Sequence, residues 1–159
     1  MTTFFVAGII QGSRREATTH SQSYRERLVG LLRATFPDAE VYCPVEHYPE
    51  SLSLTEVEQR TTFFALMERA AEADVLVAFV PEASMGTAIE MWQAHRQGRV
   101  VVAISPMAVN WAVRFLATVL LPDIEAFEQY VRTGGLARLL DARGLYPAPG
   151  GKGKGGQDG

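Results

Sequence analysis

The sequence predicts one three-layer α/β domain built on a parallel sheet of four or five strands and spanning residues 1–145. Short apolar runs alternate with longer segments of helical periodicity, which is the pattern of a parallel sheet covered by helices. The run from Val75 to Val80 is apolar throughout, as expected of a strand buried on both faces. The 159 residues are 47% hydrophobic and 21% charged, which is enough for one domain with a substantial core.

Nine elements are predicted in order along the chain. They are strand 3–8, helix 21–35, strand 40–45, helix 55–72, strand 75–80, helix 86–97, strand 100–104, and helices 110–120 and 123–142. The first strand is an apolar run that ends at Gly8, and the first helix repeats apolar residues at helical spacing through Leu28 and Leu32. After the second strand, residues 46–54 are expected to form a loop.

Capping and breaking residues set the bounds of the later elements. Thr55, with Glu58 three residues later, predicts a capping box at the start of the second helix. Gly98 is expected to stop the third helix, and Pro122 to separate the last two. Residues 146–159 are rich in glycine and contain two lysines, so they are expected to form a flexible tail outside the domain.

Composition and charge argue against several classes of function. The net charge of -3 gives no reason to expect a nucleic acid polymer as a partner. No apolar run reaches the roughly 18–20 residues that span a bilayer. The single Cys43 excludes an internal disulfide framework, and, with no signal peptide expected, it favours a cytoplasmic location. His20, His47 and His95 show no metal-ligand spacing, so no metal site is expected.

Residues 74–90 are the most informative segment for function. They predict a buried strand, a tight turn that contains Ser84 and Gly86, and the start of a helix that carries Glu90. In a doubly wound sheet, ligands bind beside the turns that follow the carboxyl ends of the strands, and the N–H groups at a helix start favour an anion such as phosphate. The loops expected to open on this edge cover residues 8–15, 46–48, 83–90 and 105–110.

Three motifs in these loops resemble those of a known enzyme family. Residues 7–14, Ala-Gly-Ile-Ile-Gln-Gly-Ser-Arg, resemble its small-Gly-Ser-Ile-Arg-Gly-Gly loop, and Glu46-His47 stands where it has a Glu-His pair. Ala73-Asp74 and the segment from Ser84 to Glu90 match its Ala-Asp strand start and its Ser-x-Gly-x-x-x-Glu turn. Over residues 3–107 the chain therefore resembles the nucleoside 2-deoxyribosyltransferase superfamily, and within it the hydrolytic branch, the nucleoside 5′-monophosphate N-glycosidases.

This resemblance implies a flavodoxin-like or Rossmann-like fold and an enzyme that cleaves an N-glycosidic bond without a cofactor. Glu90 would act at the sugar carbon C1′, as nucleophile or by stabilising an oxocarbenium-like cation. Ser84 would contact a 5′-phosphate, as the serine of this turn does in the hydrolases. The transferases commonly have an acidic residue in this region, which suits a free 5′-hydroxyl, so a serine here favours a nucleotide substrate. The chain is expected to form a homodimer. The candidate substrate-binding residues are Phe5, Gly8, Gln11, Gly12, Ser13, Arg14, His47, Ser84, Gly86 and Asn110.

The chain departs from the family pattern at three positions, and these departures keep alternatives open. Phe5 stands where the family often has Tyr, Ile9 where it has Ser, and Leu66 where its second helix usually carries an Asp. One alternative is a nucleoside deoxyribosyltransferase, and another is a non-catalytic nucleotide-binding or sensor domain. A third is a relative of the cytokinin-activating phosphoribohydrolases, whose paired glycines are missing from residues 85–90.

Several candidate residues also have simpler structural interpretations. Ser84 is a preferred helix N-cap, and Gly86 is either a turn residue or a place where the backbone approaches a ligand closely. Glu90 would be an ordinary exposed helix residue if the site did not exist. Trp92 is expected to lie in the core on the third helix, and Asn110 to reach the pocket of a neighbouring subunit, as the resemblance implies.

Overall fold

The computed structural model describes residues 1–11 and 21–147. In chain order the elements are β1 (Thr3–Gly8), α1 (Ser23–Thr35), β2 (Glu40–Tyr42), α2 (Pro44–His47), a 3-10 turn (Ser51–Ser53), α3 (Glu56–Glu72), β3 (Val75–Phe79), α4 (Met85–Arg96), β4 (Val100–Ile104), α5 (Trp111–Leu116), β5 (Val119–Leu121), α6 (Ile124–Arg132) and α7 (Gly135–Ala142).

The five strands form one parallel sheet in the order β2-β1-β3-β4-β5. Gly8 pairs with Phe79, and Phe79 with Ile104, so the carboxyl ends of the three central strands lie level at one edge. The chain reverses its direction of winding between β1 and β3, and such a switch point leaves a crevice for ligands. The prediction of a three-layer, flavodoxin-like α/β domain is confirmed.

The two faces of the sheet bury separate clusters of apolar side chains. Phe4 and Val6 of β1 point to the face covered by α1, α6 and α7, whereas Phe5 and Ala7 point to the face covered by α3, α4 and α5. This alternation follows from the two-residue period of a strand. Because helices cover both faces, β3 and β4 are almost completely buried, as their uninterrupted apolar sequences predict.

The predicted signals at the ends of two helices are confirmed. The Thr55 side chain accepts a hydrogen bond from the Glu58 N–H, and the Glu58 carboxylate accepts one from the Thr55 N–H, so the capping box is complete. Gly98, with φ of 69°, follows the end of α4. Trp92 was expected in the core, and this prediction is wrong, because its side chain is 51% exposed on the outer face of α4.

The second half of the chain differs most from the predicted elements. The helix predicted over 110–120 ends at Leu116, and Val119–Leu121 forms β5 on the open edge of β4. Pairing with β4 satisfies backbone groups that a longer helix would have left exposed on that edge. Gly134, with φ of 78°, divides the helix predicted over 123–142 into α6 and α7.

The loop predicted over 46–54 is also partly helical. β2 ends at Tyr42, and Pro44 opens the short helix α2, where the fixed φ of proline suits a first helical turn. None of the described helices is long and apolar enough to cross a membrane.

Candidate active site

A cleft of about 670 Å³ opens at the carboxyl edge of the sheet, beside the crevice between β1 and β3. The end of β1, the first turns of α4, one face of α3 and the 3-10 turn form its walls. Its lining residues are Gly8, Ile10, Gln11, Ser51, Leu52, Leu54, Glu56, Gln59, Arg60, Thr62, Phe63, Phe64, Leu66, Met67, Ser84, Met85, Gly86, Thr87, Ile89 and Glu90.

Ser84 forms the N-cap of α4 at the floor of this cleft. Its backbone is extended, with φ of -138° and ψ of 110°, and its Oγ accepts a hydrogen bond from the Thr87 N–H at 3.4 Å. The hydroxyls of Ser84 and Thr87 lie 2.9 Å apart. The first N–H groups of a helix have no partners within the helix, so this end of α4 presents hydrogen-bond donors and a positive dipole end.

Glu90 lies less than two turns further along α4, and its side chain is buried although it lines the cleft. Its residue is 8% exposed, and it neighbours the buried Met91 and the buried Thr87. Burial raises the pKa of the Glu90 carboxyl to about 8, and the positive charge of Arg25 opposes this rise. Within the described residues, no hydrogen bond or ion pair meets this carboxylate. Among the described residues, Glu90 is therefore a buried acid whose carboxylate has no hydrogen-bond or ion-pair partner.

Gly8 ends β1 at the cleft, and no larger residue fits there. A Cβ at this position would overlap the Tyr24 hydroxyl, because the ring of Tyr24 packs directly over the glycine. The same hydroxyl donates to the Ile9 carbonyl at 3.3 Å, and the ring packs on Phe79 with centroids 4.4 Å apart. Tyr24 of α1 thus fixes the position of the β1 end, on which the wall of the cleft depends.

The α3 wall of the cleft is mainly apolar and aromatic. Phe63 and Phe64 pack edge to face with ring centroids 5.3 Å apart, and the Arg60 guanidinium lies 5.4 Å from the Phe64 ring centre. Arg60 is the one lysine or arginine among the described lining residues. Leu66 lies on this wall, so an apolar side chain faces the cleft where the resembled family usually has an Asp.

The structure brings together five of the candidate site residues that the sequence predicts. Gly8, Gln11, Ser84, Gly86 and Glu90 all line the cleft. Gly86 lies within α4 rather than in a turn, and a Cβ there would meet no atom within 4 Å. Space at Gly86 would therefore be filled by a ligand or by water, not by the chain. The predicted residues Gly12, Ser13 and Arg14 lie outside the described residues.

Three predicted site residues are not among the lining residues of this cleft. Phe5 is fully buried in the core, where its ring stacks with Tyr42 at 5.6 Å. His47 is exposed and stacks with Tyr42, at 4.4 Å between ring centres. The Asn110 side chain accepts from the Val113 N–H at 3.2 Å and so caps α5.

Sequence reasoning missed two groups of residues at this edge. The α3 residues Gln59, Phe63 and Met67 line the cleft and recur every four residues, so the sequence does contain a signal for this face of the helix. Arg25 of α1 is buried beside β1 and has no comparable signal, because an arginine between Tyr24 and Glu26 has the pattern of an exposed helix position. Over the described ranges, no group of three or more His, Cys, Asp or Glu is arranged to hold a metal ion.

Comparison with known proteins gives matches at the level of structure. No family model matches the chain, and no curated protein matches it significantly. A 2-deoxyribosyltransferase from Bacillus psychrosaccharolyticus superposes with a TM-score of 0.61 at 18% identity, covering 81% of this chain and 92% of that one. BlsM, known from a solution structure, gives a TM-score of 0.63 at 19% identity, with coverage of 94% and 96%.

A third similar structure is the CMP N-glycosidase BcmB of Clostridium botulinum, with a TM-score of 0.50, 17% identity, and coverage of 83% of this chain and 99% of that one. Identities this low establish the fold and not the chemistry. The chain therefore shares its fold with these three proteins, and this is the fold that the resemblance of its motifs implies.

Proposed function

We propose that this protein is an enzyme that cleaves the N-glycosidic bond of a nucleoside 5′-monophosphate, with Glu90 acting at C1′. The observation that carries the proposal is the arrangement of Ser84 and Glu90 on α4, with a phosphate-compatible helix start and a buried carboxylate lining one cleft. Two proteins of similar fold, the 2-deoxyribosyltransferase and the CMP N-glycosidase, are named as enzymes that make or break the bond between sugar and base.

The buried carboxylate suits a reaction in which positive charge develops on the sugar. As the C1′–N bond breaks, its electron pair leaves with the base, and C1′ becomes cationic. Ionised Glu90 then either bonds to C1′ or stabilises the cation, and burial strengthens this attraction because little water screens it. Water supplies the hydroxyl that ends on C1′ and the proton that ends on the base, so the products are a free base and a sugar phosphate.

The start of α4 is the proposed binding site for the 5′-phosphate. The Ser84 hydroxyl and the first N–H groups of α4 lie at the cleft, and Gly86 leaves room for an anion to approach the backbone. Gly12, Ser13 and Arg14 follow the end of β1 in sequence, and we propose that they contribute to the same subsite. The side chains of Ser13 and Arg14 would supply hydrogen-bond donors to the phosphate.

The opposite wall would receive the base. Phe63 and Phe64 offer aromatic surface for packing against a planar ring, and Gln11 offers an amide that can donate and accept. Gly8 ends β1 at the cleft, so its backbone would lie beside the sugar.

We also propose that the enzyme is a homodimer. Met85, Ile89 and Trp92 form an exposed apolar stripe on α4, and Trp111 and Phe115 are exposed on α5, which packs against α4. So many large exposed apolar side chains on two packed helices favour an interaction site. Met85 and Ile89 also line the cleft, so a second copy on this stripe would close the open side of the site and bring its Asn110 near it.

A nucleotide-binding protein without catalytic activity is the second candidate function, and Leu66 favours it. This apolar side chain on the α3 wall cannot handle a proton on the departing base. The cleft would still bind a nucleotide through Ser84 and the aromatic wall, and Glu90 would then be a structural acid.

The test is release of free base, followed by chromatography, from matched panels of ribo- and deoxyribonucleosides and their 5′-monophosphates. We expect release from a 5′-monophosphate without any added acceptor base. Product that forms only when a second base is supplied would identify a deoxyribosyltransferase instead. Saturable nucleotide binding without turnover would support the binding protein.

A further inference from the structure

Arg25 and Glu90 are the two charged side chains that are buried in the described part of the chain. They are 3% and 8% exposed, on α1 and α4, and both lie at the carboxyl edge of the sheet. Charged groups are seldom buried so deeply unless something compensates the loss of water. The burial of two oppositely charged groups at the sheet edge that holds the cleft indicates that they interact electrostatically.

The Arg25 guanidinium is held in place by uncharged groups. Its Nη1 donates to the Val6 carbonyl at 2.8 Å, and its Nη2 donates to the Gly8 carbonyl at 3.1 Å. Its Nε donates to the Gln22 side-chain oxygen at 2.7 Å. Among residues 1–11 and 21–147, no carboxylate forms an ion pair with Arg25. The positive charge is therefore fixed against the end of β1, and no carboxylate of the described residues neutralises it there.

This fixed charge acts on Glu90 across the end of β1. Burial raises the pKa of Glu90, and Arg25 is the group whose charge opposes that rise. Gly8 connects the two, since its carbonyl accepts from Arg25 while the residue itself lines the cleft with Glu90. No hydrogen bond joins the two side chains within the described residues, so the interaction between them is one of charge alone.

The other titratable groups around Glu90 are few. Tyr24 of α1 lies within electrostatic reach of Glu90, and its pKa is raised chiefly by burial. Cys43 lies 3.9 Å from Nη1 of Arg25. On the side of α3, Glu56 and Arg60 line the cleft. None of these groups is both cationic and buried, so Arg25 is the buried cation of the described residues, and a low local dielectric strengthens its effect on Glu90.

We propose that Arg25 is a positioning residue for the reaction: its guanidinium, fixed by the carbonyls of β1, supplies the positive charge that lets the buried Glu90 carboxylate ionise. The proposal rests on the proposed function, because an ionised Glu90 is needed only if Glu90 acts at C1′. Arg25 does not line the cleft and acts through Glu90 without touching the substrate. If Arg25 had only a structural role, its hydrogen bonds would connect α1 to β1, and its replacement would leave the ionisation of Glu90 unchanged.

The direct test follows the ionisation of Glu90 itself. Carbon-13 NMR of the side-chain carboxyl carbons gives a titration midpoint, and the Glu90 signal is assigned by its absence from Glu90→Gln. We expect the midpoint to rise by about one pH unit in Arg25→Met, which removes the charge but keeps much of the apolar length. Arg27→Met is the matched control, because Arg27 is exposed on the same helix and pairs with Glu125 and Glu128. The titration midpoint of Glu90 in Arg27→Met is expected to equal that in wild type.

The pH dependence of base release provides the second readout. If ionised Glu90 is the active form, a rise of about one unit in its titration midpoint lowers the rate of Arg25→Met at pH 7 about tenfold. The rate of this variant recovers at higher pH, where Glu90 ionises. Arg25→Lys keeps the charge and is expected to retain the wild-type profile more closely than Arg25→Met. A loss of rate that is equal at every pH would indicate a structural role and contradict the proposal.

A folded Arg25→Met protein with the wild-type Glu90 midpoint would overturn the proposal. Should this variant fail to fold, Arg25→Gln is the second neutral variant, because its amide keeps a donor for the β1 carbonyls, and the same rise is expected. The two proposals fail differently. Absence of base release from every nucleotide would refute the proposed function, while the carboxyl titration would still decide whether Arg25 controls Glu90.

Discussion

At the scale of single residues, the site depends on one acid that the fold makes costly to ionise. Glu90 is buried on α4, and burial raises its pKa to about 8 from a usual value near 4.5. A carboxyl group in this state is poised to change charge near neutral pH, which is where a group acting on a developing cation is useful. The same shift links Glu90 to the stability of the whole protein.

Stability should therefore depend on pH through Glu90. Between pH 4.5 and 8 the folded protein keeps a proton that the unfolded chain has released, so stability present at low pH is lost as the pH rises through 8. We expect the free energy of unfolding of wild type to fall by up to about 5 kcal/mol over this range relative to Glu90→Gln. Urea unfolding of both proteins at a series of pH values measures the difference. If the free energies of unfolding of wild type and Glu90→Gln changed equally with pH, this would contradict a raised pKa of Glu90.

Gly86 allows a second test at this scale. Since a Cβ at Gly86 meets no atom within 4 Å, Gly86→Ala is expected to stabilise the free protein by about 0.5 kcal/mol. If a phosphate approaches the backbone there, the same variant should bind a nucleoside 5′-monophosphate more weakly. Gly30→Ala, at an open position in α1, is the control that should gain stability without losing affinity. Calorimetry of binding measures the affinity, and unchanged affinity in Gly86→Ala would place the phosphate elsewhere.

At the scale of elements, the start of α4 combines capping with the proposed binding of an anion. Ser84 caps the helix through the Thr87 N–H, and this alone would explain a serine at the position. The two roles differ in their response to charge. An acidic cap stabilises a helix start, but it repels a phosphate placed there.

Ser84→Asp separates these roles. Aspartate is as good an N-cap as serine, so we expect the melting temperature to stay close to that of wild type. Affinity for a nucleoside 5′-monophosphate should fall roughly tenfold or more, while affinity for the matching nucleoside should be retained. Ser84→Thr keeps a neutral cap and serves as the control. Equal losses for nucleotide and nucleoside would argue against phosphate at this helix start.

At the scale of the whole molecule, the apolar stripe on α4 and α5 predicts self-association. Trp92 is 51% exposed in the middle of this stripe, and Trp92→Glu would place a charge there. We expect light scattering to show a dimer for wild type and a monomer for Trp92→Glu. Val57→Glu is the control, since Val57 is 74% exposed on α3 outside the stripe. A wild-type protein that stays monomeric at every concentration tested would contradict the dimer.

The predictable part of this fold lies in the regions with strong local signals. The alternation of strands and helices, the capping box at Thr55 and the stop at Gly98 are all visible in sequence. The strand Val119–Leu121 is not, because three apolar residues become a strand only when the edge of β4 is available to pair with them. Long-range pairing of this kind overrides local periodicity.

The residues of the candidate site also divide into those that the sequence predicts and those that only the packing of the fold reveals. Ser84, Gly86 and Glu90 follow one strand within a single motif, so sequence alone predicts their proximity. Phe5 does not reach the cleft, because it lies three residues before the end of β1 and is buried in the core, while Gly8 ends the strand at the cleft. Arg25 comes from a different element, and only the packing of α1 against the end of β1 reveals its place.

The most direct test of the central claim compares base release by wild type and by Glu90→Gln, using the 5′-monophosphate that the substrate panel identifies. Glu68→Gln, an exposed substitution of the same kind on α3, is the control. We predict that Glu90→Gln folds, still binds the nucleotide and releases base at least about 1,000-fold more slowly than wild type and Glu68→Gln. Release at the wild-type rate by Glu90→Gln would show that the buried carboxylate does not act at C1′.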